Sequence, residues 1–325
     1  MKSSSRRATL ALGLAALAAA PAVASEGGAS FYLLGSGGPE AGVMPPLQGI
    51  FLSNEVYYYG ASPKVSREFV VGGNVVAGLD TKLPADFVSL AWVPTTHFLG
   101  GTLMVGGALP VAAPIVDVDV VLTGPLGQQR SFSRHDTAVV IGDPIATAAL
   151  GWAWGKLHLQ AAGTANIPVG TYREGALANV AFHRWVLDTS LALSWNDPKA
   201  GWDLSTKAGL TFNGTNKTTD YNTGTEFHLE ASVEKTLSPD FSAGVQGYWF
   251  RQLTADSGSG AVLGPYKGEV LALGPTVALH TELGRSPTTI RLQAFREFDA
   301  TNRMQGTSVM FTISLPLSMK IPPHH

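Results

Sequence analysis

The sequence predicts an all-β protein, a transmembrane antiparallel β-barrel of about 12 strands. Three observations support this prediction. The chain begins with the pattern of an export signal, and its charged fraction is 14%, where a soluble domain typically carries about 25%. Segments of about ten residues also alternate between apolar and polar side chains. A soluble β-sandwich alternates too, but it has no reason to place tryptophans at both ends of its apolar faces.

Residues 1–24 have the pattern of a secretory signal peptide. Lys2, Arg6 and Arg7 precede an apolar run at 10–20, and Ala22-Val23-Ala24 forms a cleavage site. The run is too short for a membrane span of about 20 residues. Beyond it no stretch of 18 apolar residues occurs, so a closed barrel is the expected way for this chain to cross a membrane.

The charge and cysteine content exclude several function classes. Removing the three basic residues of the signal from the 22 in the chain leaves 19, against 24 acidic residues. This negative balance argues against a nucleic-acid partner. The chain has no cysteine, so it forms no disulfides and offers no thiolate metal ligands. No cofactor and no metal site are predicted.

The alternation is clearest at 224–236. One face carries polar side chains and the other apolar ones: Glu226, His228, Glu230, Ser232 and Glu234 alternate with Phe227, Leu229, Ala231 and Val233. Other segments end their apolar faces on aromatic residues, as Trp185 and Trp195 do, and as Trp202 and Phe212 do. Such amphipathic rings suit the two membrane–water interfaces.

Turns divide the chain into 12 predicted strands, with ten or fourteen as alternatives. Short turns alternate with longer connections, which places both termini on the periplasmic side. The longer connections are predicted at 60–67, 111–142, 169–181, 214–223, 255–267 and 300–304. The strands are predicted at 48–59, 68–93, 98–110, 143–154, 157–168, 182–195, 201–213, 224–236, 241–254, 268–283, 287–299 and 305–317. The segment 68–93 is too long for one plain strand, and Pro84 predicts a kink or an extracellular extension within it.

The predicted barrel spans 48–317 and is flanked by two other segments. Residues 25–47 do not alternate, and their apolar stretch Phe31-Tyr32-Leu33-Leu34 needs cover. They are predicted to plug the lumen or to lie at its periplasmic rim. Gly35-Ser36-Gly37-Gly38 resembles a phosphate-cradling loop, but it lacks the strand and helix of that motif. Residues 318–325 form a tail that lacks the usual terminal aromatic residue, which leaves open how the barrel assembly machinery reads the last strand.

Several of these segments resemble a known family. The resemblance is carried by EGGASFYLLGSGGPEAGVMPP, IPVGTYREGALANVAFHRW, FNGTNKTTDYNTGTEFHLE, DSGSGAVLGPYKGEVLALGPTV and FREFDATNRMQGT. The chain is similar to the outer-membrane proteins of the MetA-pathway of phenol degradation, most closely to their sphingosine-inducible, porin-like branch. The resemblance covers most of the mature chain. It implies an outer-membrane barrel that helps apolar or aromatic compounds enter the cell, and it implies no catalytic residues.

The polar faces of the strands predict a lumen with charges of both signs. Such mixed charge favours a narrow or plugged lumen, whereas a strongly selective ion pore favours one sign. The candidate ligand-contacting and lumen-lining residues are Phe31, Tyr32, Tyr172, Arg184, Asp188, Lys207, Glu226, His228, Glu230, Tyr248 and Arg291. Glu226 and Glu230 would lie roughly 13 Å apart along one strand, so one strand cannot form a catalytic site alone.

The expected function is facilitated diffusion of small apolar or amphipathic compounds, such as aromatics, long-chain bases or fatty acids, across the bacterial outer membrane. Expected partners are such a ligand, outer-membrane lipid and the barrel assembly machinery. Three alternatives remain open: a general porin, a membrane-embedded lipid hydrolase that uses His228, and a purely structural protein.

Overall fold

The computed structural model describes residues 26–61, 68–71, 74–77, 79–123 and 129–320. The predicted signal peptide and residues 321–325 of the predicted tail lie outside the described residues. The described elements are a 3-10 helix at Glu26–Gly28 and the strands β1 (Gly49–Ala61), β2 (Glu68–Val71), β3 (Asn74–Ala77), β4 (Leu79–Phe98), β5 (Gly101–Ala112), β6 (Ile115–Thr123), β7 (Gln129–Thr137), β8 (Val140–Ile141), β9 (Ile145–Trp154), β10 (Leu157–Asn166), β11 (Val186–Asp197), β12 (Trp202–Asn213), β13 (Thr215–Asn216), β14 (Tyr221–Asn222), β15 (Glu226–Ser238), β16 (Phe241–Gln252), β17 (Glu269–Leu283), β18 (Ser286–Thr301) and β19 (Gly306–Met319).

Twelve of these strands close into one antiparallel barrel, as the sequence predicted. The order around the barrel is β1, β4, β5, β9, β10, β11, β12, β15, β16, β17, β18 and β19. The last strand pairs with the first along its whole length, from Gly49 opposite Met319 to Ala61 opposite Gly306. Closure leaves no unpaired edge, which is the requirement for a sheet in a membrane.

The two ends of the barrel differ. At one end lie tight turns, among them Leu99-Gly100 and the turn at Gly155, together with the start of β1 and the end of β19. We call this the short-turn end. The opposite ends of the same strands form the long-connection end, where the chain leaves β1, β5, β10, β12, β16 and β18 and enters β4, β9, β11, β15, β17 and β19.

The barrel is apolar outside and polar inside. Along β11, Leu187, Leu191 and Leu193 are exposed, whereas Asp188 and Ser194 on the opposite face are buried. The predicted aromatic residues at the ends of the strands face outward as well: Trp154, Trp185, Trp195, Trp202 and Phe212 are all exposed. A soluble protein buries its leucines, so this inversion is the pattern of a barrel whose outer surface contacts lipid.

No helix among the described residues is long and apolar enough to cross a membrane.

The long segment predicted at 68–93 is a strand with an extension. β4 runs without a break through Pro84, which lies opposite Tyr58 of β1. Its first residues, Leu79 to Lys82, pair with β6 instead of β5. An extension of the strand was therefore the better of the two expectations, and its extracellular side stays a prediction. The end of the strand predicted at 68–93 was wrong, because β4 continues to Phe98.

The connection expected at 111–142 was also wrong, because it contains a hairpin. β6 and β7 pair from Ile115 opposite Thr137 to Thr123 opposite Gln129. Val116 and Val118 of β6 form a buried cluster with Leu79, Leu177 and Ala178. The hairpin thus packs on the connection after β10 and covers part of the long-connection end. At the other end of the barrel, Ser318 and Met319 belong to β19 and not to the predicted tail.

Candidate functional site

The chain before β1 makes its contacts with the inner face of the barrel. Tyr32 and Leu34 belong to a buried cluster that includes Phe250, Phe295 and Met310 of strands β16, β18 and β19. The apolar stretch of this segment is therefore covered by inward-facing side chains. We call residues 26–48 the lumen segment.

The lumen segment begins at the long-connection end. There the carboxylate of Glu26 pairs with Arg184 at 3.0 Å, and both side chains are less than a tenth exposed. Glu26 also accepts hydrogen bonds from Asn216 at 3.1 Å and from Thr219 at 2.7 Å. The start of β1 and the end of β19 lie together at the short-turn end, but Glu26, the first described residue, lies at the long-connection end. The expectation that both termini lie on one side was wrong for this segment, which the sequence pattern could not place.

Glu230 holds the middle of the lumen segment. Its buried carboxylate accepts the backbone N–H of Gly35 at 2.7 Å and that of Gly37 at 2.6 Å. A carboxylate that accepts two backbone N–H groups makes charge-assisted hydrogen bonds, which are stronger than neutral ones. Gly35 has a φ of 97°, a conformation that favours glycine. The glycine-rich loop that resembles a phosphate cradle thus holds a carboxylate of the same chain.

A stack of three side chains lies beside this clamp. The rings of Tyr32 and His228 are parallel, with centroids 3.5 Å apart, and the ammonium of Lys207 lies 4.9 Å from the centre of the Tyr32 ring. His228 Nε2 lies 3.0 Å from Asp188, which also accepts a hydrogen bond from Thr211 at 2.6 Å. These contacts fix His228 beneath the lumen segment.

Gly209 makes room for the histidine. A Cβ on Gly209 would lie only 2.6 Å from His228 Cε1, so any other residue here would displace the ring. The other ring nitrogen, Nδ1, is buried and makes no hydrogen bond with any residue that the structure describes. No serine hydroxyl therefore contacts this histidine in the described part of the chain, as a serine nucleophile would have to do.

The lumen segment continues to the short-turn end. The backbone N–H of Glu40 donates to Asp203 at 3.0 Å, and that of Gly42 donates to Ser194 at 2.8 Å. Farther along, Met44 lies 3.0 Å from the amide nitrogen of Gln160. The segment therefore has contacts at both ends and in the middle of the barrel before the chain turns into β1.

A cavity of about 470 Å³ remains beside the lumen segment. Most of its strand residues come from the halves of the strands nearest the long connections, so it lies toward that end. The lining is mainly apolar and aromatic, and it includes Phe31, Tyr32, Tyr57, Leu83, Phe87 and Phe182. A concave, mostly apolar space with a few polar groups is the usual form of a small-molecule site.

The structure brings most of the candidate residues into or near this cavity. Its lining includes Phe31, Tyr32, Tyr172, Arg184, Asp188, Lys207 and Tyr248. His228 and Glu230 lie under the lumen segment, as described above. Glu226 is buried on the same face of β15, within 3.3 Å of Asn213. Arg291 is farther away, because it pairs with Glu234 and donates to Thr276 at 2.9 Å.

Sequence reasoning missed several side chains of the cavity. Tyr59 donates to Glu297 at 2.8 Å, as the predicted candidate Tyr248 does at 2.9 Å, and Glu55 lines the cavity from β1. The signal was present in the segment 53–59, where every second residue is polar or a tyrosine. Three consecutive tyrosines, at 57, 58 and 59, obscured the alternation there.

The fold and the outward leucines define the class of protein: a 12-stranded barrel of the bacterial outer membrane. Residues 67–313 match the model of the family described as "Putative MetA-pathway of phenol degradation", and the chain belongs to this family. The match does not separate branches of the family, so the sphingosine-inducible branch stays a prediction. A search among curated proteins finds no match.

Among solved structures, the chain is similar to an outer membrane channel from Pseudomonas putida F1. The two share 13% sequence identity and superpose with a TM-score of 0.64, over 85% of this chain and 98% of that one. A homologue of FadL from Pseudomonas aeruginosa shares 12% identity, with a TM-score of 0.39 over 86% of this chain and 91% of that one. The first likeness supports the barrel fold, and the second is too distant to support an argument.

Proposed function

We propose that this protein is an outer-membrane channel for facilitated diffusion of small apolar or amphipathic compounds, and that the lumen segment is its plug. The observation that supports this most is the cavity of about 470 Å³ at the long-connection end. It is lined by aromatic and aliphatic side chains, and Phe31 and Tyr32 of the lumen segment form part of its wall. Long connections face the outside in barrels of this kind, so the cavity would receive a ligand from outside the cell.

The mechanism requires no covalent chemistry. A ligand leaves water for the apolar lining, and each buried CH₂ group contributes about 0.8 kcal/mol. It then passes the level of Glu230, where the plug is held by backbone hydrogen bonds. Because these bonds join a carboxylate to two N–H groups of a glycine-rich loop, they can break and re-form without unfolding the barrel.

A general porin is the less supported alternative. Such a protein needs a continuous aqueous lumen, whereas here a chain segment has contacts at both ends and in the middle. A lipid hydrolase is less supported still, because His228 lies beneath Tyr32 and contacts no serine hydroxyl in the described part of the chain. A general porin also does not explain why the cavity is lined by apolar side chains.

The proposal is tested by filling the cavity. Ala108 lines it, and Ala108→Trp would occupy much of it without touching the lumen segment clamp. The control is Ala148→Trp, which places the same side chain on the outer face of β9, where Ala148 is exposed. Cells that produce the wild type should take up a neutral apolar dye, N-phenyl-1-naphthylamine, faster than cells without it. Only Ala108→Trp should abolish the gain, and a gain that survives in Ala108→Trp would refute the proposed route.

A further inference from the structure

The cavity contains more acidic than basic side chains. Among the residues that the structure describes, five carboxylates and three basic side chains line it: Glu26, Glu55, Asp143, Asp188 and Glu297, with Arg184, Lys207 and Arg303. The excess of negative charge in a low-dielectric space disfavours an anionic ligand.

Four of the five carboxylates are occupied by donors of the protein. Glu26 pairs with Arg184, and Asp188 accepts hydrogen bonds from Thr211 and His228. Asp143 accepts from the amide of Asn166 at 2.9 Å and from backbone N–H groups at residues 170, 182 and 183. Glu297 accepts from two tyrosine hydroxyls and from a backbone N–H group.

Glu55 differs from these four. Within the described residues, the one hydrogen bond that its carboxylate accepts comes from the hydroxyl of Thr312, at 3.3 Å. This distance is long for an O–H donor, which usually lies about 2.5–3.0 Å from its acceptor. A carboxylate has about four acceptor positions, so most of those on Glu55 are open toward the cavity.

Two aromatic residues lie next to Glu55 in the barrel wall. Glu55 lies directly opposite Phe87 across the β1–β4 pair, and Tyr57 follows two residues later on the same face of β1. The rings of Tyr57 and Phe87 meet edge to face, with centroids 6.5 Å apart. Aromatic faces attract cations, so the rings and the carboxylate favour the same kind of ligand group.

Lys207 does not offset this preference. Its ammonium lies over the Tyr32 ring, and the carboxylates of Glu230 and Asp188 attract it electrostatically. These two carboxylates offset the positive charge of Lys207, so Lys207 attracts an anionic ligand less strongly than an unpaired ammonium would.

We infer that Glu55 is a specificity-determining residue that binds the ammonium head of amphipathic amines in this cavity. The apolar lining receives the hydrocarbon part of the ligand, and Glu55 accepts hydrogen bonds from the head. This inference rests on the proposed function, and it selects the amine class over fatty acids among the compounds proposed above.

The test compares three ligands of equal chain length on the refolded full chain in a neutral detergent. Octylamine, octanol and octanoate are titrated by calorimetry at pH 7.5 against the wild type, Glu55→Gln and the control Glu282→Gln. Glu282 is exposed near the short-turn end, far from the cavity. Circular dichroism and heat-modifiable gel mobility show whether each variant is a folded barrel.

The expected order of affinity for the wild type and the control is octylamine, then octanol, then octanoate. Glu55→Gln should weaken octylamine binding about tenfold or more, because a hydrogen bond to a charged group contributes about 1.5–3 kcal/mol, and it should leave octanol binding unchanged. Equal octylamine affinity in wild type and Glu55→Gln, or tighter binding of octanoate than of octylamine, would overturn the inference. If octanol binds in either case, the proposed function stands; if none of the three ligands binds, the proposed function fails with it.

Discussion

The carboxylate of Glu230 accepts a hydrogen bond from the backbone N–H of Gly35 at a distance of 2.7 Å, although the two residues are 195 positions apart in the chain. A second bond from Gly37 completes the contact. The strand that carries Glu230 and the glycine-rich loop thus depend on each other, since the loop supplies two backbone donors to a buried carboxylate. This relationship makes the position of the lumen segment testable by single substitutions.

Glu230→Gln should release the middle of the lumen segment. The amide keeps one acceptor oxygen but places an NH₂ group against a backbone N–H, so one bond is lost and the other loses its charge. The contact should weaken by about 1.5–3 kcal/mol. We expect faster hydrogen exchange in residues 31–42, measured by mass spectrometry, with unchanged exchange in β11 and β12. Glu282→Gln is the control, and unchanged exchange at 31–42 in Glu230→Gln would contradict the clamp.

Gly42→Ala should displace the part of the lumen segment that lies near the short-turn end. A Cβ at this position would lie 2.9 Å from the carbonyl oxygen of His158 and 2.9 Å from the backbone nitrogen of Ser194, and neither strand can move away. We expect a higher single-channel conductance than that of the wild type in planar bilayers. Gly163→Ala is the matched control, because a Cβ there meets nothing within 4 Å. A conductance of Gly42→Ala equal to that of the control would show that the segment does not obstruct the lumen.

Glu26→Ala should release the beginning of the lumen segment. The side chain of Arg184 is only 2% exposed, and removal of one partner of a buried ion pair costs about 3–5 kcal/mol. We expect a lower melting temperature. When Ser36→Arg supplies a trypsin site in the lumen segment, we also expect cleavage between residues 26 and 40. Glu174→Ala, which changes an exposed carboxylate of the same end of the barrel, should leave both properties unchanged.

The contact between two long connections should depend on pH. The hydroxyl of Ser259 donates to Asp220 at 2.6 Å and its backbone N–H at 2.9 Å, and these hydrogen bonds lower the pKa of the Asp220 carboxyl. A lowered pKa in the folded state means that the contact stabilises the connections above the pKa of the unfolded chain. The contribution is lost as the pH falls through the pKa of the folded state.

We therefore expect residues 255–267 to exchange amide hydrogens more slowly at pH 7 than at pH 3, after correction for the intrinsic rates. Asp220→Asn is the appropriate variant, because asparagine tolerates the φ of 48° at this position but does not titrate. It should remove the pH dependence that exceeds the intrinsic one. If the variant and the wild type show the same pH dependence beyond the intrinsic one, another group causes the effect.

The barrel could be predicted from the sequence because its strands obey one rule. Each spanning strand must present apolar side chains to lipid and may present polar ones to the lumen, so the period of two is visible in segments such as 224–236. The hairpin of β6 and β7 was missed although Val116 and Val118 alternate with Asp117. Its apolar side packs on Leu177 and not on lipid, and the expected strand count was already complete without it.

The site could be predicted less completely. Inward-facing residues of β11, β12 and β15 follow from the same alternation, which is how Asp188, Lys207 and Glu230 became candidates. The lumen segment has no period, and its path is set by contacts with residues more than 150 positions away, as between Gly42 and Ser194. Nothing local in the segment encodes such contacts, so the clamp could not be derived from the sequence.

The most direct test of the account is the conductance of the refolded mature protein in planar bilayers, compared with a form that lacks residues 25–47. Circular dichroism first establishes that both forms contain the same amount of β-sheet. The account predicts that the full-length protein is nearly silent and that the truncated form opens steady pores. Equal conductance of the two forms would contradict it and would make a general porin the better description.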